Sequence, residues 1–122
     1  MHEMPVTQGL LNMALENAQG KRITDIYLQV GRFAAVVPDS IQLFFDYLSN
    51  GTLAEGARLH FEITPVEMTC QDCGRKADLS AWVEERPQLI MAQALTRGCV
   101  CGSKNLRVTA GVNFGMVSIQ VE

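Results

Sequence analysis

The chain has 122 residues, 48% of them hydrophobic, with 10 basic and 13 acidic side chains and a formal net charge of -3. This length and apolar content suffice for a core without disulfide support, so extensive disorder is excluded. The acidic balance argues against a phosphate backbone as the main partner, because such binding depends on clustered Lys and Arg. No signal-peptide pattern or membrane-length apolar run is present, so we expect a cytoplasmic protein that binds neither membrane nor nucleic acid.

The spacing of apolar residues predicts two helices and one strand in the first half of the chain. Helical spacing runs from Pro5 to Asn17, with an end near Gly20, and again from Pro38 to Leu48. Asn50-Gly51 stops the second run. Between the two helices, Ile26 to Val30 alternate with polar residues, which predicts a strand with one buried face.

Two further strands are predicted on either side of a cysteine-containing segment. Apolar residues alternate from Arg58 to Thr64 and from Val117 to Val121, and the last strand is expected to pair with Arg58–Thr64 or with the earlier strand. On the Arg58–Thr64 strand, His60 is interpreted as a partly exposed surface side chain without a role. The segment from Glu67 to Arg107 shows no clear period apart from an apolar patch at Leu89–Leu95. It is predicted to be an insert organised by metal.

The four cysteines form two close pairs that predict a zinc site. Cys70 and Cys73 form a CxxC knuckle, and Cys99 and Cys101 follow after 25 residues. Two pairs on separate turns are what a closed tetrahedral zinc site with four cysteine ligands requires, and such a site stabilises the fold without doing chemistry. Buried free cysteines, a redox dithiol and an iron-sulfur cluster are the alternatives. The second pair is CxC, so its two sulfurs are presented by a shorter turn than in CxxC. This spacing leaves the fourth ligand in doubt.

The N-terminus offers a second set of metal donors. The imidazole of His2, its amide nitrogen and the terminal amine of Met1 can reach one ion, and a Glu3 donor can complete a square-planar set. This geometry suits Ni(II) or Cu(II) and not zinc. On spacing alone, a solvated terminal histidine is the alternative interpretation.

The sequence contains no pattern typical of an enzyme. The acidic residues show no pairing for general acid and base work, and neither a Ser-His-Asp arrangement nor a glycine-rich phosphate loop is present. We therefore expect no catalytic residues. A generic zinc-ribbon module that binds protein or nucleic acid is the competing function, with Lys104 and Arg107 beside the last cysteine as its support.

The chain combines five short motifs: Met1-His2-Glu3, Val30-Gly31, Val37-Pro38, Cys70-x-x-Cys73 and Cys101-Gly102-Ser103. In this combination it resembles the HypA/HybF family of hydrogenase nickel-incorporation proteins. The resemblance covers essentially the whole chain. It implies an α+β fold with a small mixed sheet and two helices in a nickel-binding lobe, residues 1–66 and 109–122, and an inserted zinc-binding lobe, residues 67–108. It also implies a metallochaperone that delivers Ni2+ for maturation of [NiFe]-hydrogenase.

The same resemblance implies specific ligands and partners. The nickel donors carried over are Met1, His2 and Glu3, and the structural zinc ligands are Cys70, Cys73, Cys99 and Cys101. The implied partners are a nickel-handling maturation GTPase and the hydrogenase large subunit, with urease served in some members. An exposed strand edge would also allow a homodimer.

The sequence departs from the family pattern in the cysteine segment. Gly98 stands where a second CxxC would place its first cysteine, and Trp82 to Leu95 is extra material in a longer loop. The apolar patch in this loop, Leu89 to Leu95, is interpreted as a small core for an enlarged zinc lobe, with a docking surface as the alternative.

Overall fold

The computed structural model describes residues 3–82 and 85–122. Three α-helices, five strands and one short 3-10 turn follow one another along these ranges. In chain order they are α1 (Glu3–Ala18), β1 (Ile23–Gly31), α2 (Pro38–Leu48), β2 (Arg58–Thr64), β3 (Glu67–Cys70), the 3-10 turn (Ser80–Trp82), α3 (Pro87–Arg97), β4 (Leu106–Ala110) and β5 (Phe114–Val121). Within the same ranges, none of the helices has the length and apolarity needed to cross a bilayer.

The chain divides into two compact units, each with its own buried apolar cluster. The first unit comprises the chain up to Val30, Ala35–Ile63 and Phe114–Glu122, and the second comprises Gly31–Ala34 and Thr64–Asn113. The mixture of helices with small sheets agrees with the predicted α+β class. The two functional lobes, a nickel lobe of residues 1–66 with 109–122 and a zinc lobe of residues 67–108, stay a prediction, because the division into units does not identify a bound metal.

Both helices of the first unit form where the apolar spacing predicts them. The buried face of α1 consists of residues three or four positions apart, Thr7, Leu10, Leu11, Ala14 and Ala18. The buried Thr7 hydroxyl donates to the carbonyl oxygen of Glu3 at 2.6 Å, so its burial leaves no unpaired donor. Pro38 begins α2, where a missing N–H breaks no helical hydrogen bond.

The first unit contains a three-stranded sheet in the order β2-β1-β5. Strand β5 pairs antiparallel with β1, which decides between the two pairings allowed by the sequence. The predicted alternation of β5 is interrupted, because the register shifts between the Tyr27–Ser118 and Leu28–Met116 pairs. Val117 is the extra residue of this β-bulge and is 59% exposed, although its alternation with Ile119 predicts a buried side chain.

The second unit is more regular than the sequence suggests. Strands β3 and β4 pair antiparallel, and α3 occupies the stretch predicted only as an apolar patch. Ile90 and Ala94 of α3 are buried in the cluster of this unit. Leu89, Met91 and Leu95, by contrast, are 41%, 37% and 37% exposed. The patch therefore contributes to a small core through one side of the helix only.

Candidate metal centre

The four cysteine sulfurs lie together in the second unit. Their Sγ atoms all fall within 4.8 Å of one another, with 3.7 Å between Cys70 and Cys101 and 3.5 Å between Cys73 and Cys99. These separations are far longer than the bond of about 2.05 Å in a disulfide, and all four cysteines are free. The structure thus brings both members of the CxC pair to the group, despite the doubt raised by their spacing.

The first cysteine pair lies on a tight turn at the end of β3. The amide of Cys70 donates to the carbonyl of Arg75 at 2.8 Å, and the amide of Gly74 donates to the carbonyl of Cys70 at 2.9 Å. Gly74 has a φ of 79°, the positive value that the knuckle requires and that glycine adopts without steric cost. Cys70 is buried and Cys73 is exposed, so the pair spans the edge of the unit.

The second pair is CxC because the preceding position is occupied by a helix cap. Gly98 ends α3, with its amide donating to the carbonyl of Ala94 at 2.9 Å and a φ of 73°. A Cβ at this position would lie 3.0 Å from the carbonyl oxygen of Ser103, so a cysteine at position 98 would be both strained and crowded. The thiols therefore come from Cys99 and Cys101, on a turn closed by the hydrogen bond from Gly102 to Cys99 at 2.9 Å.

A hydrogen bond between side chains links the two turns. The Ser103 hydroxyl donates to the Asp72 carboxylate, and its oxygen accepts the Asn105 amide at 3.0 Å. Sequence reasoning named Ser103 only within the Cys101-Gly102-Ser103 motif and did not select Asp72. Their positions, one inside the CxxC turn and one just after Cys101-Gly102, were the available signal, since groups that hydrogen-bond around a metal site can orient its ligands.

Backbone amides and neighbouring thiols shift the ionisation of the cysteines in opposite directions. The amide of Cys73 donates toward the Cys70 sulfur and lowers the pKa of that thiol to about 6. The Arg75 amide acts to lower the pKa of Cys73, but the adjacent thiols, Cys99 foremost, raise it to about 12. One thiolate is therefore favoured in the group, and further ionisation is opposed by like charge. A bound cation would remove that opposition.

The group fits a tetrahedral metal ion bound by thiolates. Zn–S bonds of about 2.3 Å imply sulfurs about 3.8 Å apart, close to the two separations given above. Among the described residues, this is the one group of three or more potential donors close enough to share an ion. Four cysteines so placed could hold one metal ion and would leave it no open coordination position.

Of the three predicted nickel donors, Glu3 alone is among the described residues. Glu3 is the first residue of α1, whereas Met1 and His2 lie outside the described residues. His60 is on β2 of the first unit with 43% of its side chain exposed, which confirms the predicted partial exposure. Its ring nitrogen Nε2 lies 2.8 Å from Asp25 Oδ1. Alternation along one strand could not reveal this partner, because the contact depends on the pairing of β1 with β2.

Comparison with known proteins identifies the family. Residues 1–121 match the family model described as hydrogenase/urease nickel incorporation, metallochaperone, hypA. A hydrogenase maturation factor HypA from Nostoc is 35% identical over 122 residues, covering 100% of this chain and 96% of the relative. The protein of the same name from Geobacter sulfurreducens is 30% identical over 122 residues, with 100% of both chains covered.

Two solved structures share the fold. The solution structure of the Ni metallochaperone HypA from Helicobacter pylori superposes with a TM-score of 0.62 at 21% identity, covering 99% of this chain and 97% of the other. A second solution structure of a HypA protein gives 0.71 at 25% identity, with 100% and 97% covered. None of these matches supports a generic zinc-ribbon module. The chain belongs to the HypA family of hydrogenase/urease nickel-incorporation metallochaperones.

Proposed function

We propose that this protein carries Ni2+ at its N-terminus and delivers it for maturation of [NiFe]-hydrogenase, while a structural Zn2+ holds the second unit together. The observation that carries the proposal is the family match over residues 1–121. The function requires two chemically different sites, one that exchanges its ion and one that does not. The chain offers a terminal set of nitrogen and oxygen donors and a closed set of four thiolates.

Zn2+ is the ion that best suits the cysteine group. Four thiolates on two short turns are the usual donors of a structural zinc site, and they leave no open coordination position for a substrate. The proposed ligands are Cys70, Cys73, Cys99 and Cys101. A site of this kind supports a role without catalysis. Free thiols at such a site also favour a reducing compartment, in keeping with the expected cytoplasmic location.

Met1, His2 and Glu3 are the proposed nickel donors. The imidazole and amide nitrogen of His2 and the terminal amine form two adjacent chelate rings, which suit the square-planar preference of Ni(II). Because α1 begins at Glu3, the amide of this residue has no hydrogen-bond acceptor within the helix. It can therefore lose its proton to bind a metal without breaking a helical hydrogen bond. Ligand exchange at a chain end is easy, since few contacts must break.

The proposed partners follow from what the chain lacks and what its relatives are named for. The relatives are hydrogenase maturation factors, so the hydrogenase large subunit is the proposed recipient. The sequence contains no glycine-rich phosphate loop, so a nickel-handling GTPase is proposed as the partner that supplies nucleotide hydrolysis. A homodimer formed through an exposed strand edge stays a prediction.

Calorimetric titration with Ni2+ tests the N-terminal site. The samples are the zinc-loaded protein with its native N-terminus, a His2→Ala variant and a version extended by one N-terminal Gly, which moves the amine away from His2. We expect one tight nickel equivalent in the first sample and its loss in both others, with zinc content unchanged in all three. Tight binding that survives both changes would show that the nickel site lies elsewhere.

A further inference from the structure

A polar cluster lies on the outer face of the sheet in the first unit. Ile26 and Leu28 of β1 are fully buried, so the alternate residues Asp25 and Tyr27 point away from the core. On the neighbouring strand, His60 stacks on Tyr27 with ring centroids 4.6 Å apart and an interplanar angle of 13°. Together with its 2.8 Å contact to Asp25, this stacking holds the imidazole in one orientation although it faces solvent.

The Asp25 contact fixes which ring nitrogen carries the proton. An aspartate carboxyl of ordinary acidity is ionised at neutral pH, so Asp25 presents a carboxylate to His60. A carboxylate only accepts hydrogen bonds, and Nε2 of His60 must therefore donate. In the neutral ring the lone pair then lies on Nδ1. Among the described residues, no hydrogen bond uses Nδ1.

This is the arrangement found around histidines that bind metal. A metal-binding imidazole usually donates its other N–H to a carboxylate, a backbone carbonyl or water, which fixes the tautomer and makes the metal-binding nitrogen a better ligand. Glu62 is a second potential donor, because it lies two residues after His60 on the same face of β2. Both residues line a cavity of about 300 Å3, together with Tyr27 and Ser118.

We propose that Nδ1 of His60 and the carboxylate of Glu62 form an open second binding point for Ni2+, with Asp25 and Tyr27 positioning the imidazole. The proposal rests on the nickel-carrying function. Imidazole nitrogen suits Ni2+, and a given site of nitrogen and oxygen donors binds Ni2+ more tightly than Mn2+, Fe2+ or Co2+. Two protein donors leave the remaining positions to water or to a donor from a partner. Binding here is therefore weaker than at a three- or four-donor site, and release is easier.

The test uses the fact that the chain contains only two histidines. In zinc-loaded, nitrogen-15-labelled His2→Ala protein, His60 is the single imidazole and its two ring nitrogens can be followed individually by NMR. Without nickel, we expect Nε2 to be protonated and Nδ1 to carry the lone pair. On addition of Ni2+, we expect paramagnetic broadening centred on His60 and on the amides of β2 around Glu62, with zinc content unchanged.

Variants in the same background separate a binding site from a cross-strand contact. His60→Gln should abolish the nickel-dependent broadening on β2, and Asp25→Asn should weaken nickel binding by about 10- to 100-fold. Glu62→Gln should also weaken it, whereas Glu16→Gln, an equal charge change on the exposed side of α1, should leave it unchanged. Broadening confined to the N-terminus, equal effects of Glu62→Gln and Glu16→Gln, or a protonated Nδ1 would each overturn the proposal. Because these samples lack His2, failure of this proposal is distinguishable from failure of the N-terminal site, which the calorimetric titration with native His2 tests.

Discussion

At the scale of single residues, the cysteine group shows that backbone conformation decides which positions can supply a ligand. Gly98 caps α3 with a positive φ, so this position cannot supply a thiol. The thiols come instead from Cys99 and Cys101. A CxC pair is then a consequence of the helix that precedes it and not a weakened version of CxxC. The sequence alone showed the unusual spacing, whereas its cause required knowledge of α3.

The first prediction concerns the ligand that the spacing placed in doubt. Cys101→Ser should lower zinc affinity as strongly as Cys73→Ser, because both sulfurs lie in the same group within 4.8 Å of the others. Val100→Ser, on the same turn and 84% exposed, is the matched control and should keep one zinc per chain. Zinc content by mass spectrometry and competition with a chromophoric chelator are the measurements. Full zinc occupancy with an unchanged competition curve in Cys101→Ser would indicate a three-thiolate site.

The second prediction concerns the pH response of Asp25. Its pKa is lowered first by the hydrogen bond from His60 and second by the one from Thr24, so this contact stabilises the fold above the unfolded-state pKa of about 3.9. That contribution is lost as pH falls through the lower folded-state value. In His60→Gln, the pKa of Asp25 should rise toward its ordinary value, as read from carboxyl carbon-13 shifts during an NMR titration.

Asp78 provides the internal control for this titration. Its pKa is lowered mainly by the Ser80 hydroxyl, and it belongs to the second unit, so His60→Gln should leave its titration unchanged. If Asp25 titrates identically in both proteins, the contact with His60 does not persist in solution.

At the scale of elements, the sequence predicts those whose apolar pattern is long and continuous. The helices α1 and α2 and the strands β1 and β2 lie where their patterns place them. The helix α3 was missed because only Ile90 and Ala94 are buried, and the exposed Leu89 and Met91 on either side of Ile90 obscure the period. Strand β3 has four residues, too few to show alternation.

The candidate sites were predictable to different degrees for related reasons. The cysteine group follows from spacing, because two close pairs of cysteines are typical of a metal site. The N-terminal site depends on the family resemblance, since His2 alone is also explained as a solvated terminal residue. The Asp25–His60 contact depends on strand order, which one sequence does not supply. In each case the missing information is long-range geometry.

The third prediction concerns the turn that carries β4 into β5. Gly111 has a φ of 89°, and a Cβ there would lie 2.5 Å from the Cα of Val66 and 2.6 Å from the carbonyl oxygen of Pro65. These are backbone atoms that cannot rotate away. Gly111→Ala should therefore destabilise the second unit by about 3 kcal/mol or more, since strain and clash add.

Gly102→Ala separates strain from clash. Gly102 also has a positive φ, 92°, but a Cβ there would have no neighbour within 4 Å. Gly102→Ala should therefore lose only the roughly 1–2 kcal/mol that an L-residue costs in the left-handed backbone conformation. Denaturant unfolding can be followed through Trp82, the single tryptophan, which packs against the core of this unit. Zinc content is measured in both variants first. Equal losses in the two variants would contradict the clash at Gly111.

At the scale of the whole molecule, the two units differ in what stabilises them. Among the described residues, the first cluster has eleven buried members, including Phe45 and several large aliphatic side chains. The second has six, one of which is Cys70. A cluster of that size contributes little hydrophobic free energy, so a metal ion that joins its two turns should supply much of the stability of the second unit.

The last prediction follows from this difference. Removing zinc with a strong chelator should leave the thiols of the second unit without a common ion, and the thiolate favoured at Cys70 should then repel further ionisation. We expect amide hydrogen exchange to accelerate throughout β3, β4 and α3, while α1, β1 and β5 keep their protection, because their apolar core does not include the metal. A Cys73→Ser/Cys101→Ser variant, measured without chelator, should show the same pattern and so exclude effects of the chelator itself. Protection that is lost equally in both units would mean that the zinc site stabilises the whole chain, and protection retained in the second unit would mean that its small core is sufficient.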